Sequence, residues 1–272
     1  MKKTLSMLLA GAMLATALTG CGGSASSSSD SQNSGNSDST ASGTAFKIGG
    51  TGPLTGAAAI YGNACKNGAQ IAVDEINAEG GDIQFELNYQ DDEHDAEKAV
   101  NAYNTLKDWG MQLSLGSVTS KPCEATAAEN YSDRIFALTP SASTVAVTAD
   151  KDNVFQMCFV DPNQGTASAQ YIAEQKLGTK IAVIWKNDDV YSTGIHDKFV
   201  AEAKTKGLQV VSDNTFTDAS ANDFSVQLND AKSKGADLVF LPMYYQPASL
   251  ILTQANAMGS APKFFGVDGM DG

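Results

Sequence analysis

The chain of 272 residues is poor in the side chains that most enzymes and metal proteins need. Only two histidines occur, His94 and His196, and no nucleophile stands at a suggestive spacing from either. That argues against Ser-His or Cys-His catalysis. Four cysteines are present, and Cys65, Cys123 and Cys158 fit no metal-ligand spacing. Three thiols cannot all pair with one another, so the sequence alone leaves a Cys65–Cys123 bridge open. Basic residues are scarce too: 18 Lys and Arg stand against 31 Asp and Glu, for a net charge of -13. Such acidity excludes a nucleic-acid footprint and disfavours electrostatic docking on anionic lipid. The one long apolar run, residues 5–18, falls short of the roughly 20 residues that span a bilayer.

That apolar run has a context of its own. Lys2 and Lys3 precede it and small residues follow it, the pattern of a secretory signal peptide. Leu18-Thr19-Gly20-Cys21 then resembles the lipobox of bacterial lipoproteins. The resemblance implies cleavage of residues 1–20 and lipid attachment at Cys21, which would hold the chain at a membrane surface through several acyl chains. Residues 21–44 are almost entirely Ser, Gly, Asp, Asn, Thr, Gln and Ala. A segment so poor in apolar surface cannot offset its ordering entropy and is expected to act as a tether, with a reach of about 25 Å.

From residue 45 strand-like and helix-like stretches alternate. Ile83, Phe85, Leu87 and Tyr89 have the period of a half-buried strand, and Ala96, Ala99, Val100, Tyr103 and Leu106 have that of a helix. The spacing predicts a helix over 61–78 with Ala64, Gly68, Ile71, Ala72 and Ile76 on one face. It predicts strands at 46–48, 111–115 and 135–138, the last buried on both faces, and a helix over 122–131. Asp161-Pro162-Asn163-Gln164-Gly165 reads as a turn-rich crossover. Beyond it strands are expected at 180–185, 208–211, 237–241 and 264–267, with helices between them. The fold class is therefore α/β: two doubly wound parallel-sheet domains, one over 45–160 and one over 161–272.

In such sheets ligands bind outside the carboxyl ends of the strands. The first post-strand loop, Gly49-Gly50-Thr51-Gly52-Pro53-Leu54-Thr55-Gly56, invites a dinucleotide reading. It fails on spacing, and Pro53 removes a backbone donor that a phosphate would need. A tight loop with Tyr61 as an aromatic wall is the better reading. Ser117 to Ser120 meet a helix start, where free N–H groups and the helix dipole favour a carboxylate. Thr139-Pro140-Ser141-Ala142-Ser143-Thr144 is a second hydroxyl-rich loop. Tyr191, Tyr244 and Asp268 follow strands of the second half, where the acid could meet an ammonium and the rings could cover a side chain. The run Asp91-Asp92-Glu93-His94-Asp95 reads as a solvated helix start in preference to a metal site. Both histidines are expected on the surface.

These loops, in this order, resemble the branched-chain amino acid binding proteins of ABC transporters, a type I periplasmic-binding-protein fold. The resemblance rests on Gly52-Pro53-Leu54-Thr55-Gly56 with Tyr61-Gly62, the stretch 68–81, Thr139-Pro140-Ser141-Ala142-Ser143, Asp161-Pro162-Asn163-Gln164-Gly165 and Phe265-Gly266-Val267-Asp268-Gly269. It implies that Ser120, Ser141, Ala142 and Ser143 hold a ligand carboxylate and help with its ammonium. It implies Asp268 as the ammonium partner, Asp161 as a second contact, and Tyr61, Tyr191 and Tyr244 as aromatic walls, with Tyr245 adjoining the last. It also implies hinge closure, a monomer, a membrane permease as partner, and neither cofactor nor metal. Lys121-Pro122 and an aspartate at 268 depart from the family pattern and put the preferred ligand in doubt. A ligand-sensing lipoprotein for another small carboxylate or amide is the alternative. Members of the family continue well past residue 272, so a C-terminally truncated chain of poor stability is expected, with sheet edges and apolar faces uncovered.

Overall fold

The structure, a computed structural model, describes residues 44–260 and 262–271. The signal peptide, the Cys21 lipid site and the tether expected from the sequence lie outside the described residues, apart from Thr44. No described helix is long and apolar enough to cross a membrane.

Two parallel sheets organise the chain. The first contains β1 (Thr44–Gly52), β2 (Ile83–Asp91), β3 (Leu113–Ser114), β4 (Phe136–Thr139) and β5 (Val154–Gln156), in the order β2-β1-β3-β4-β5. The second contains β6 (Lys180–Lys186), β7 (Gln209–Phe216), β8 (Leu238–Leu241) and β9 (Lys263–Gly266), in the order β7-β6-β8-β9. All these pairings are parallel. In each sheet the strand order reverses beside its first strand, β1 or β6. That is the topological switch point outside which ligands bind in open α/β sheets.

The helices follow from local chemistry. In α2 (Ala96–Trp109), Asp95 caps the start by accepting from the Lys98 N–H, and Gly110 ends it at φ 92°, in the left-handed region. In α5 (Val190–Thr205), Asp189 caps the start and accepts from the Tyr191 N–H. The remaining helices are α1 (Ala59–Ala78), α3 (Ser120–Asp133), α4 (Asp161–Glu174), α6 (Ser225–Ser233) and α7 (Tyr245–Ala257).

Several expectations are corrected. The segment read as a crossover turn is the first turn of α4, with Pro162 at the position where its missing N–H costs nothing. Gly165 lies within that helix because a β-carbon there would stand 2.3 Å from the Ile195 carbonyl oxygen of α5. The strand expected to be buried on both faces, now β4, leaves Phe136 exposed. The face proposed for α1 is not the buried one: Ile71 and Ile76 are exposed, and Gly62 and Val73 are buried. Gly62 packs against the preceding loop so closely that a β-carbon would meet the Pro53 carbonyl oxygen at 2.0 Å. Strand β5 was not anticipated, and Cys65, Cys123 and Cys158 are free thiols.

Candidate functional site

Loops from both sheets enclose a cavity of about 250 Å³ lined by Tyr61, Val118, Thr119, Ser120, Ser141, Ser143, Tyr191, Tyr244, Asp268, Gly269 and Asp271. Seven of the nine residues expected from the sequence are among them. One wall comes from the first sheet and is made of hydroxyls. Ser120 opens α3 and is buried, and its hydroxyl oxygen accepts from the Ser143 N–H (3.2 Å) and the Thr144 N–H (3.3 Å). With both backbone donors directed at its oxygen, the serine proton is left to donate elsewhere. Thr139 braces the same loop. Its hydroxyl donates to the Ser117 carbonyl at 2.6 Å and accepts from the Ala142 N–H at 3.1 Å.

The facing wall, from the second sheet, carries the charge. Asp268 Oδ1 accepts from the Tyr191 hydroxyl (2.5 Å) and from Gln164 Nε2 (2.8 Å), and its own N–H donates to Gln164 Oε1 (2.9 Å). The carboxylate is thus fixed from two sides while remaining open to solvent. The Gly269 N–H donates to the same Tyr191 hydroxyl at 3.0 Å. Tyr191 stacks on Tyr244 with ring centres 4.7 Å apart, and Tyr61 lies 5.5 Å from Tyr244. The Tyr61 hydroxyl crosses the cleft and donates to the Gly269 carbonyl at 2.5 Å. Burial pushes the Tyr61 phenol up to about 12 and those of Tyr191 and Tyr244 well above their ordinary range, so all three rings are neutral donors.

The two other expected residues sit behind this surface. Ala142 is buried in the core of the first lobe, and its carbonyl is taken by Gln156 Nε2 at 3.0 Å. Asp161 is 1% exposed, and neither of its oxygens has a hydrogen-bond partner. Burial pushes its carboxyl up to about 7. The Ser143 hydroxyl opposes the shift without reaching hydrogen-bonding geometry, and the Asp268 and Asp189 charges add to the rise. A buried carboxyl next to the cavity without a partner is costly unless it is protonated or meets a donor.

Sequence reasoning missed Thr119, Gln164 and His94. His94 is half-buried, and its Nδ1 lies 2.8 Å from the Thr119 hydroxyl; it is not the surface side chain expected. Gln164 stood within the motif already singled out, and its amide type, complementary to both a carboxylate and an N–H, was the available signal. His196 is also buried, stacked on Trp185 with ring centres 4.0 Å apart. Among the described residues no group of three or more His, Cys, Asp and Glu could hold a metal ion.

Known proteins share this fold. Residues 45–272 match the family model described as periplasmic binding protein. The chain is 31% identical over 229 residues to the Leu/Ile/Val-binding protein BraC3 of Rhizobium johnstonii, covering 82% of this chain and 61% of the relative. It is 29% identical to the leucine-, isoleucine-, valine-, threonine- and alanine-binding protein of Pseudomonas aeruginosa, covering 82% and 60%. Among solved structures it superposes on the branched-chain amino acid transporter substrate binding protein LivJ of Streptococcus pneumoniae, in complex with isoleucine. The TM-score is 0.76 at 30% identity, covering 82% of this chain and 64% of that one. The chain spans about three fifths of the length of the curated relatives it matches. A cleft between two parallel sheets, walled by post-strand loops and matched over residues 45–272, places this chain in the periplasmic binding protein family.

Proposed function

We propose that the chain captures an amino acid of the branched-chain type between its two lobes and delivers it to an ABC permease, held at the outer face of the cell membrane by lipid on Cys21. The observation that carries the reading is the facing of two unlike walls across one small cavity. Neutral serine hydroxyls at the start of α3 and on the loop after β4 stand on one side and a fixed carboxylate on the other. An α-amino acid has the complementary pair of charges. Its carboxylate fits the Ser120, Ser141 and Ser143 side, where the start of α3 adds a favourable dipole. Its ammonium fits Asp268, whose position is held by Tyr191 and Gln164. The tyrosines supply apolar faces for a side chain. Similarity to proteins that bind leucine, isoleucine and valine supports the ligand class.

Capture proceeds by hinge closure: ligand bound on one wall stabilises the closed arrangement through contacts with the other. The Tyr61–Gly269 bond is one such closing contact. A thermal-shift and calorimetric screen of L-amino acids tests the proposal. At a hundredfold excess over its dissociation constant a ligand adds about 2.7 kcal/mol of stability. Leucine, isoleucine or valine should produce that shift, and Asp268→Ala should abolish it. Absence of a shift with every amino acid would remove the ligand assignment.

A further inference from the structure

Two cavities meet at Tyr244, the inner one already described and an outer one of about 560 Å³. His94 lines the outer cavity and Thr119 the inner one. His94 stands on the loop between β2 and α2 at φ 62°, in the left-handed region where histidine and asparagine are favoured over most side chains. Its own N–H donates to Asp92 Oδ1 at 3.0 Å. From there the ring reaches both lobes. Nδ1 is hydrogen-bonded to the Thr119 hydroxyl of the first lobe at 2.8 Å, and the ring meets Tyr244 of the second lobe edge-on, with ring centres 5.3 Å apart.

The bond to Thr119 has a consequence for α3. Thr119 directly precedes that helix with an extended backbone, where a threonine hydroxyl ordinarily accepts from an N–H two or three positions on. Pro122 has no N–H, so that of Lys121 is the one a Thr119 cap would take. The Thr119 side chain makes no such bond; its hydroxyl is turned to His94 instead. The positive end of the α3 dipole, beside which the ligand carboxylate is proposed to sit, is thereby left without a side-chain cap. The charged groups facing the ring are Lys121 of α3, Lys186 at the end of β6, Asp189 before α5 and Asp218 after β7, with Asp92 on its own loop. Burial pushes the imidazole below its ordinary value, the two lysines add to that, and Asp189 and Asp218 oppose it. Burial also pushes the Asp189 carboxyl up, which makes it a poor counter-ion for an imidazolium.

We propose that His94 is a positioning residue for capture: it keeps Thr119 off the start of α3, packs on Tyr244 when the lobes close, and weakens ligand binding when it takes up a proton. This role rests on the amino-acid reading of the cleft. Opening the lobes takes Tyr244 and the second-lobe charges away from the ring and returns it to water. The closed form therefore binds the proton less readily than the open one. Closure is fully favoured above the ordinary histidine value, about 6.5, and loses ground as pH falls below it.

Calorimetry of L-leucine on the purified chain, at about pH 7.5 and about pH 5.5, tests this on either side of the ordinary histidine value. His94→Asn keeps a hydrogen-bonding atom for Thr119, tolerates the positive φ and carries no titrating proton. Between the two pH values the wild-type Kd should rise up to roughly tenfold more than that of His94→Asn. The carboxyls of Asp92, Asp161 and Asp189, which burial also raises, are present in both proteins, so their share of the profile cancels. His94→Gly removes the ring without straining the backbone and should weaken leucine at the higher pH by roughly tenfold, whereas His94→Asn should stay within about threefold of wild type. A second readout needs no ligand. Amide exchange at Lys121 should slow in His94→Gly, where Thr119 is released to cap α3, and the slowing should vanish when Thr119→Val is added. The same pH dependence in wild type and His94→Asn overturns the proposal, as does unchanged Lys121 exchange in His94→Gly. Should leucine fail to bind at either pH, the amino-acid reading falls, and Lys121 exchange alone decides whether His94 positions Thr119.

Discussion

The two sheets are built alike and buried unequally. In the second lobe, Ile181 to Ile184 of β6 and all of β8 are buried, covered by helices on both faces. Two large apolar clusters result, one around Phe224, Leu241 and Ile251, the other around Phe199, Ile195 and Phe240. In the first lobe the clusters are small: Tyr103, Leu106 and Met111 form one, and Cys123, Ala127, Val147 and Val154 belong to the other. Ile71, Ile83, Phe136 and Phe155 are exposed there. Since hydrophobic stabilisation scales with apolar area removed from water, the second lobe holds most of the folding energy of the described residues. The hydroxyl wall of the site stands on the weaker lobe and the carboxylate wall on the stronger one. Ligand bridging the two would stabilise the first lobe through the second.

The sharpest contrast is between a core ring and an exposed aliphatic. Phe240 is fully buried and stacks on Phe199 with ring centres 3.9 Å apart. Phe240→Ala should cost about 3–5 kcal/mol in urea denaturation, and Ile71→Ala in the first lobe less than about 0.5 kcal/mol. Equal losses would break the comparison. Next in size is Gly165→Val, whose side chain would collide with the Ile195 carbonyl and separate α4 from α5; a loss of about 1–3 kcal/mol is expected. Within the first lobe, Asp95→Ala removes the cap of α2 and should cost about 1 kcal/mol. Its effect should be read by hydrogen exchange in that lobe alone.

The smallest effect is a pH dependence confined to the second lobe. Burial opposes the charge on His196, but Asp213 at 3.0 Å and Asp197 at 2.9 Å outweigh it, so its pKa lies above the ordinary value. The group is protonated more readily folded than unfolded. Its contribution is therefore fully present below the unfolded pKa, near 6.5, and lost as pH rises through the folded pKa. Both aspartates are partly exposed, which keeps the effect below that of the cap. NMR titration of the imidazole checks the direction, and His196→Ala should flatten the pH dependence.

Much of this was legible before any coordinates. Alternating Ile83, Phe85, Leu87 and Tyr89 became β2, and the 3.6-residue spacing from Ala96 to Leu106 became α2. Periodicity was misleading where burial on one face depends on what packs there. The face with Ile71 and Ile76 has a helical period, yet Val73 and Gly62 are the residues that α1 buries. Turn chemistry misled at Asp161-Pro162-Asn163, because the residues that favour a turn are also those that open a helix.

By itself, then, the sequence determined the alternation of strands and helices and the residue types at the strand ends. Both depend on contacts between near neighbours along the chain. The tertiary structure alone decided which of those ends meet. Tyr61 and Gly269, 208 positions apart, share a hydrogen bond, and Gln164 reaches Asp268 across 104. It also decided that His94 turns inward and that Asp189 is left with an unpaired oxygen. Those outcomes depend on how two lobes pack against each other, which no local pattern encodes.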